Sequence, residues 1–121
     1  MTDKNYSFEN LQVWQKTHQF VLAIYEISKS FPSTETYALT SQLKRAAMSI
    51  PANIAEGFGR KGQNDKLRFY NISRSSLLEV RYFLILAQDL NYCDTSKLKE
   101  DLNEIEKMLY SYTQKISDNS N

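Results

Sequence analysis

Residues that break helices are scarce in this chain, and that scarcity sets its fold class. Only three glycines and two prolines occur among 121 residues, a sparse set that favours long helices over many turns. Between them, apolar residues recur at spacings of three and four, the signature of one helix face. The pattern divides a single domain, 1–121, into four helical segments at about 8–30, 34–57, 64–90 and 95–116. "FPST" closes the first, because Pro32 cannot continue a helix. Ser33, Asn64, and Asp94 or Thr95 are candidate caps for the three segments that follow. The final "SDNSN" is expected to fray.

Connections of about four to six residues make successive helices antiparallel neighbours. Each helix of about 20 residues is roughly 30 Å long. The expected fold is all-α: an antiparallel up-down-up-down four-helix bundle.

The helix faces carry further information. In the fourth segment Leu98, Leu102, Ile105, Leu109, Tyr112 and Ile116 form one stripe on an otherwise polar helix. The first segment has two. Leu11, Trp14, Val21, Leu22 and Tyr25 make one; Val13, Phe20, Ile24, Ile27 and Phe31 make another, rotated from the first by roughly 130–140°. "VRYFLILAQDL" in the third segment is apolar almost all round. Surplus apolar faces in a small soluble chain point to self-association. The second stripe, Val13, Phe20, Ile24, Ile27 and Phe31, is taken as the oligomer interface.

The stretch "LKRAAMSIPANIAEGFGRKG", residues 43–62, contains the one proline inside a helical run. Pro51 has no N–H, so the carbonyl of Ala47 loses its helical partner. Leu39, Leu43, Ala46 and Ile50 lie on one face, and Ile54 continues that face without a shift in phase. A kink, not a break, is expected. Ala46, Ala47, Ser49, Ala52 and Ala55 let a neighbouring backbone approach closely. Gly57 is expected to end the helix in the left-handed conformation, with Gly59 and Gly62 keeping the turn open around Arg60 and Lys61. Such a turn is either an ordinary cap or an anion-holding nest. Its spacing matches neither a Walker nor a dinucleotide motif.

Together with "LQVWQKTHQFVLAIYEISKSFPSTETYALTSQ" before it and "RFYNISRSSLLEV" after it, this stretch resembles the small bacterial four-helix proteins named after intervening sequences in large-subunit ribosomal RNA. The resemblance spans about residues 8–115. Its most specific parts are Val13-Trp14-Gln15-Lys16, Phe31-Pro32 and Gln42 through Gly57. It implies a four-helix bundle assembling as a ring, typically a homopentamer. Relatives of that family include the accessory variability determinants of diversity-generating retroelements, basic rings that bind nucleic acid and a reverse transcriptase. Ser75 stands where the pattern commonly has glycine, which implies slightly altered packing of the third helix.

Charge is unevenly spread although the formal net charge is only +1. Residues 44–81 carry eight Lys or Arg against three acids, and residues 82–121 carry four against seven. Either an anionic partner or complementary neighbouring helices would explain this. Candidate phosphate contacts are Lys44, Arg45, Arg60, Lys61, Lys66, Arg68, Arg74 and Arg81. Arg74 and Arg81, seven apart, share a side of their helix. Arg45 and Arg74 also suit ion pairs with Glu56 or Glu79.

No catalytic constellation is evident, and a non-enzymatic protein is expected. His18 is the lone histidine, read as a core or interface residue with a hydrogen-bond partner, and Cys93 is the lone cysteine, so neither a metal site nor a disulfide within the chain is supported. No cofactor is expected. "MTDKNYSFEN" lacks the apolar core of a signal peptide, and "YFLILA" is far shorter than the roughly 20 residues of a membrane span. A cytoplasmic location follows as the default. The expected partners are copies of the chain itself, structured RNA or DNA, or another protein.

Overall fold

The computed structural model describes residues 7–118. Four helices, α1 (Gln12–Ser28), α2 (Leu39–Phe58), α3 (Gln63–Asp89) and α4 (Ser96–Asp118), account for most of it, with short 3-10 turns at Phe8–Asn10 and Ser33–Glu35. Among the described residues there is no strand. α4 continues through Ser117 and Asp118, where fraying was expected; Asn119–Asn121 lie outside the described residues.

Local chemistry sets each boundary. The first segment is not one helix. Ser7 accepts from the Glu9 N–H at 3.2 Å, and its own N–H donates to Asn10 Oδ1 at 2.8 Å, closing a capping box around the Phe8–Asn10 turn. The chain then extends at Leu11 before α1 begins. α2 starts at Leu39, five residues later than expected, because Ser33 is spent inside a 3-10 turn. Glu35 supplies the cap instead: its Oε1 accepts from the Leu39 N–H at 3.2 Å, and its Oε2 accepts from the Tyr92 hydroxyl at 2.7 Å. One carboxylate thus ties the α1–α2 connection to the α3–α4 connection.

Asn64 is not a cap, since α3 begins one residue earlier with Gly62 preceding it. At the other end of α3, Asn91 has φ 64°. Its N–H bonds to Gln88 O, and that of Tyr92 bonds to Ala87 O, a Schellman closure with asparagine in the left-handed position. Both candidates for the start of α4 contribute. Asp94 Oδ1 accepts from the Ser96 N–H at 2.9 Å, and the Thr95 carbonyl accepts from Lys99.

The core is built from one face of every helix. Leu39, Leu43, Ala46, Ile50 and Ile54 are all buried on α2, and the helix runs unbroken through Pro51, as the unshifted phase requires. Its broadest packing is against α3. Around the proline this contact is knitted by small hydroxyls. Ser73 donates to Ile50 O at 2.8 Å, Ser76 to Ser49 Oγ at 2.8 Å, and Asn53 Nδ2 to Ser49 O at 2.8 Å. The pairs Arg45–Glu79, Ile50–Ser73 and Gly57–Tyr70 ascend α2 while descending α3. Ser75, by contrast, is exposed and takes no part in this packing.

Gly57 does something other than expected. It is buried inside α2, and no described glycine has positive φ. A Cβ built there would lie 2.5 Å from Cε1 of Tyr70. The residue is a glycine because the Tyr70 ring lies against its Cα. Gly59 is the C-cap in an ordinary right-handed conformation.

The largest correction concerns α1. Val13, Phe20, Ile24 and Phe31, expected at the oligomer interface, are 4%, 3%, 0% and 8% exposed within the subunit, and Ile27 packs half-buried against the same core. Thr17 and Ser28 complete this face. Each donates its hydroxyl to its own helix, Thr17 to Trp14 O at 2.8 Å and Ser28 to Ile24 O at 2.7 Å, so neither carries an unmet polar group into the core. Much of the other stripe remains outside: Leu22 and Tyr25 are exposed, and Trp14 is half-buried.

Candidate nucleic-acid interface

The eight nominated cations do not form one surface. Arg60, Lys61, Lys66 and Arg68 gather at the α2–α3 turn. Arg74 and Arg81 lie over α4 and both reach Glu106, at 3.4 and 3.7 Å. Lys44 and Arg45 stand apart on α2. The Lys44 ammonium lies 4.7 Å from the centre of the Tyr25 ring on α1, and Arg45 pairs with Glu79 on α3 at 2.7 Å.

At the turn, most of the positive charge is already engaged. Arg60 contacts Glu56 at 2.7 Å and Asp65 at 3.8 Å, and Arg68 contacts Asp65 at 2.8 Å. Both guanidinium groups lie over the ring of Phe69, at 4.6 and 4.4 Å. Lys66 points back along the chain and donates to Gly57 O at 3.2 Å and Phe58 O at 2.9 Å. It adds a donor to two carbonyls at the end of α2, the first of which also accepts from the Arg60 N–H at 3.1 Å, and there a cation meets the negative end of the helix dipole. The glycine turn is therefore capped by a side chain. Of the eight, Lys61 alone is exposed with no ion-pair or hydrogen-bond partner among the described residues. Exposed ion pairs contribute only about 0–1 kcal/mol, so the paired arginines still offer donors to a phosphate, at the expense of a neighbouring carboxylate.

α4 holds cations that the sequence reading passed over. Lys107 and Lys115 are exposed and unpaired among the described residues, and they line one groove with Asn10, Gln12 and Ser111. The available signal was that no acid occurs from Lys107 to Ser117.

Two exposed apolar faces stand out among the described residues. Between α1 and α2 runs a groove lined by Phe8, Trp14, His18, Val21, Met48, Pro51, Ala52 and Ala55. His18 is exposed and stacked on Trp14, rings 5.1 Å apart and 8° from parallel; of the two places expected for it, core or interface, the subunit core is excluded. Beside the groove lie Leu22 and Tyr25, whose hydroxyl donates to Met48 Sδ at 3.3 Å. The second face is a stripe on α3, where Leu78, Tyr82 and Ile85 are 47%, 57% and 40% exposed at helical spacings of four and three.

This arrangement sits on a chain whose residues 9–111, from the first 3-10 turn nearly to the end of α4, match the family model of the 23S rRNA-intervening sequence protein. The chain belongs to that family. No curated protein matches it. The matched span includes both apolar faces apart from Phe8, and all eight nominated cations, but stops before Lys115. Among the described residues of this family member, no helix is long and apolar enough to cross a membrane, and no three His, Cys, Asp or Glu side chains are grouped to hold a metal. Cys93 is half-buried, and its thiol is pushed above the usual range by burial and then by the charge of Asp94.

Proposed function

We propose that this chain is a non-enzymatic homo-oligomer, a ring of five up-down-up-down bundles whose second helix bends at Pro51, and that the ring binds RNA or DNA through phosphates. The observation that carries the assembly is the pair of unlike apolar faces left exposed once the subunit core is complete. Leu22, Tyr25 and Met48 border one; Leu78, Tyr82 and Ile85 form the other. Two different faces that cover each other join head to tail, and such a contact closes into a ring when its rotation allows. Five is the number that the family resemblance implies. The basic turn then recurs once in every subunit, so weak contacts sum by avidity. With no base-reading pattern in the cations, recognition is of phosphate and shape. The protein acts in the cytoplasm, without a cofactor or metal.

Two experiments test this. Leu78→Asp puts a charge on the α3 stripe, outside the subunit core, so the variant should keep its helical circular dichroism and sediment as a monomer. An oligomer of unchanged size would refute the assigned face. Fluorescence anisotropy of a labelled structured RNA, titrated at low and near-physiological salt, tests binding. Affinity should fall steeply as salt rises.

A second reading is favoured by the ion pairs themselves. Most nominated cations are matched by acids of the same subunit, which fits a protein-binding scaffold or accessory subunit with no direct nucleic-acid role. Absence of RNA binding at low salt would select it.

A further inference from the structure

We infer that the C-terminal half of α4 is a platform for single-stranded nucleic acid, with Tyr110 as the ring on which an unpaired base stacks. This rests on the nucleic-acid reading above and assigns it a strand type and a residue.

Tyr110 is 62% exposed. It lies off the buried stripe of Leu102, Ile105 and Leu109, and neither its ring nor its hydroxyl has a partner among the described residues. Its surroundings are polar and cationic. Arg74, Asn103, Glu106, Lys107 and Ser111 line the same groove. Glu106, the one acid among them, is already engaged by Arg74 and Arg81 at 3.4 and 3.7 Å, and the Arg74 side chain still exposes 55% of its area. Lys107 also borders the adjoining groove on the side of Asn10 and Gln12, in which Lys115 stands. The two lysines are about 12 Å apart along the axis, a span of roughly three nucleotides at 3.4 Å each.

An exposed ring among cations and amides matches the chemistry of single-strand binding, in which phosphates meet lysine and a base lies on an aromatic face. A duplex offers no such base, because its bases are stacked on one another. A protein partner would call for a contiguous apolar patch, and Tyr110 is isolated.

The test is anisotropy of a labelled single-stranded uridine oligomer and of an RNA duplex of equal length. The proteins are the full chain and its Tyr110→Ala, Tyr110→Phe and Lys107→Ala/Lys115→Ala variants. The single strand should bind more tightly than the duplex. Tyr110→Ala should weaken it about tenfold while Tyr110→Phe holds near the parent value, because the ring and not the hydroxyl stacks. The double lysine variant should flatten the salt slope by about 1.4, roughly 0.7 for each lost phosphate contact. Parent protein that binds single strands while Tyr110→Ala binds equally well overturns the platform alone, as does a preference for the duplex. Parent protein that binds no nucleic acid at low salt removes the platform and the nucleic-acid reading together.

Discussion

Replacing Gly57 by alanine sets two well-characterised effects against each other. In a helix interior, alanine is favoured over glycine by about 0.5–1 kcal/mol, so at an open site the change stabilises. At Gly57 the new methyl would lie 2.5 Å from Tyr70 Cε1 and 3.0 Å from both Cδ1 and Cζ. The ring has little room to retreat. Tyr70 is 1% exposed, its ring meets that of Tyr112 edge-on at 5.2 Å, and the two hydroxyls are hydrogen-bonded at 3.2 Å. Overpacking of this kind costs about 1–3 kcal/mol, and the contact is close enough to place the cost at the upper end. The net expectation is a loss of about 1–2 kcal/mol, read as a lower urea midpoint at unchanged slope. Gly62→Ala is the control. Its added Cβ meets nothing within 4 Å, and the backbone there is ordinary extended chain, so that variant should be as stable as the parent or slightly more so. Tyr70→Leu in the Gly57→Ala background should recover part of the loss relative to the two single changes added together, since the crowded ring carbons are gone. A Gly57→Ala protein more stable than the parent would refute the close-approach account.

Other consequences follow from the same contacts. Burial, and then the hydrogen bond with Tyr112, raise the Tyr70 phenol above its ordinary value. The stability this group contributes is therefore complete below about pH 10, the unfolded value, and is lost as pH rises beyond it. Melting curves at pH 7 and at about pH 11 should show a larger drop for the parent than for Tyr70→Phe, and equal drops would contradict the assignment. Lys66→Met should destabilise by about 1 kcal/mol, because the Phe58 carbonyl loses the Lys66 ammonium and the Gly57 carbonyl keeps only the Arg60 N–H. Lys61→Met should be within about 0.5 kcal/mol of the parent. Equal stability of the two variants would make Lys66 a surface charge like Lys61.

The number and limits of the helices were legible where the side chains that decide them are local. Pro32 ends the first segment, Asp94 caps the last helix, and the unshifted phase from Ile50 to Ile54 keeps α2 whole across Pro51. Legibility failed where a distant residue decides. Glu35 caps nearby Leu39 while its other oxygen is held by the distant Tyr92, and nothing beside Gly57 reveals the Tyr70 ring. The core face of α1 was hidden by Thr17 and Ser28, two polar residues that satisfy themselves within the helix and so can be buried. The cations were legible as types but not as surfaces, because their carboxylate partners lie on other helices: Glu79 for Arg45, and Glu106 for Arg74 and Arg81. Lys107 and Lys115 were obscured by averaging. The acids that make the last third of the chain negative lie before residue 107, apart from Asp118.

The central claim is that unlike apolar faces close identical subunits into a ring, and the mass of the assembly in solution tests it most directly. Sedimentation equilibrium of the full chain at micromolar concentration should give a single closed species of about five times the 14.1 kDa chain mass. A species at 14.1 kDa would contradict the account, and so would a twofold dimer, which pairs like faces.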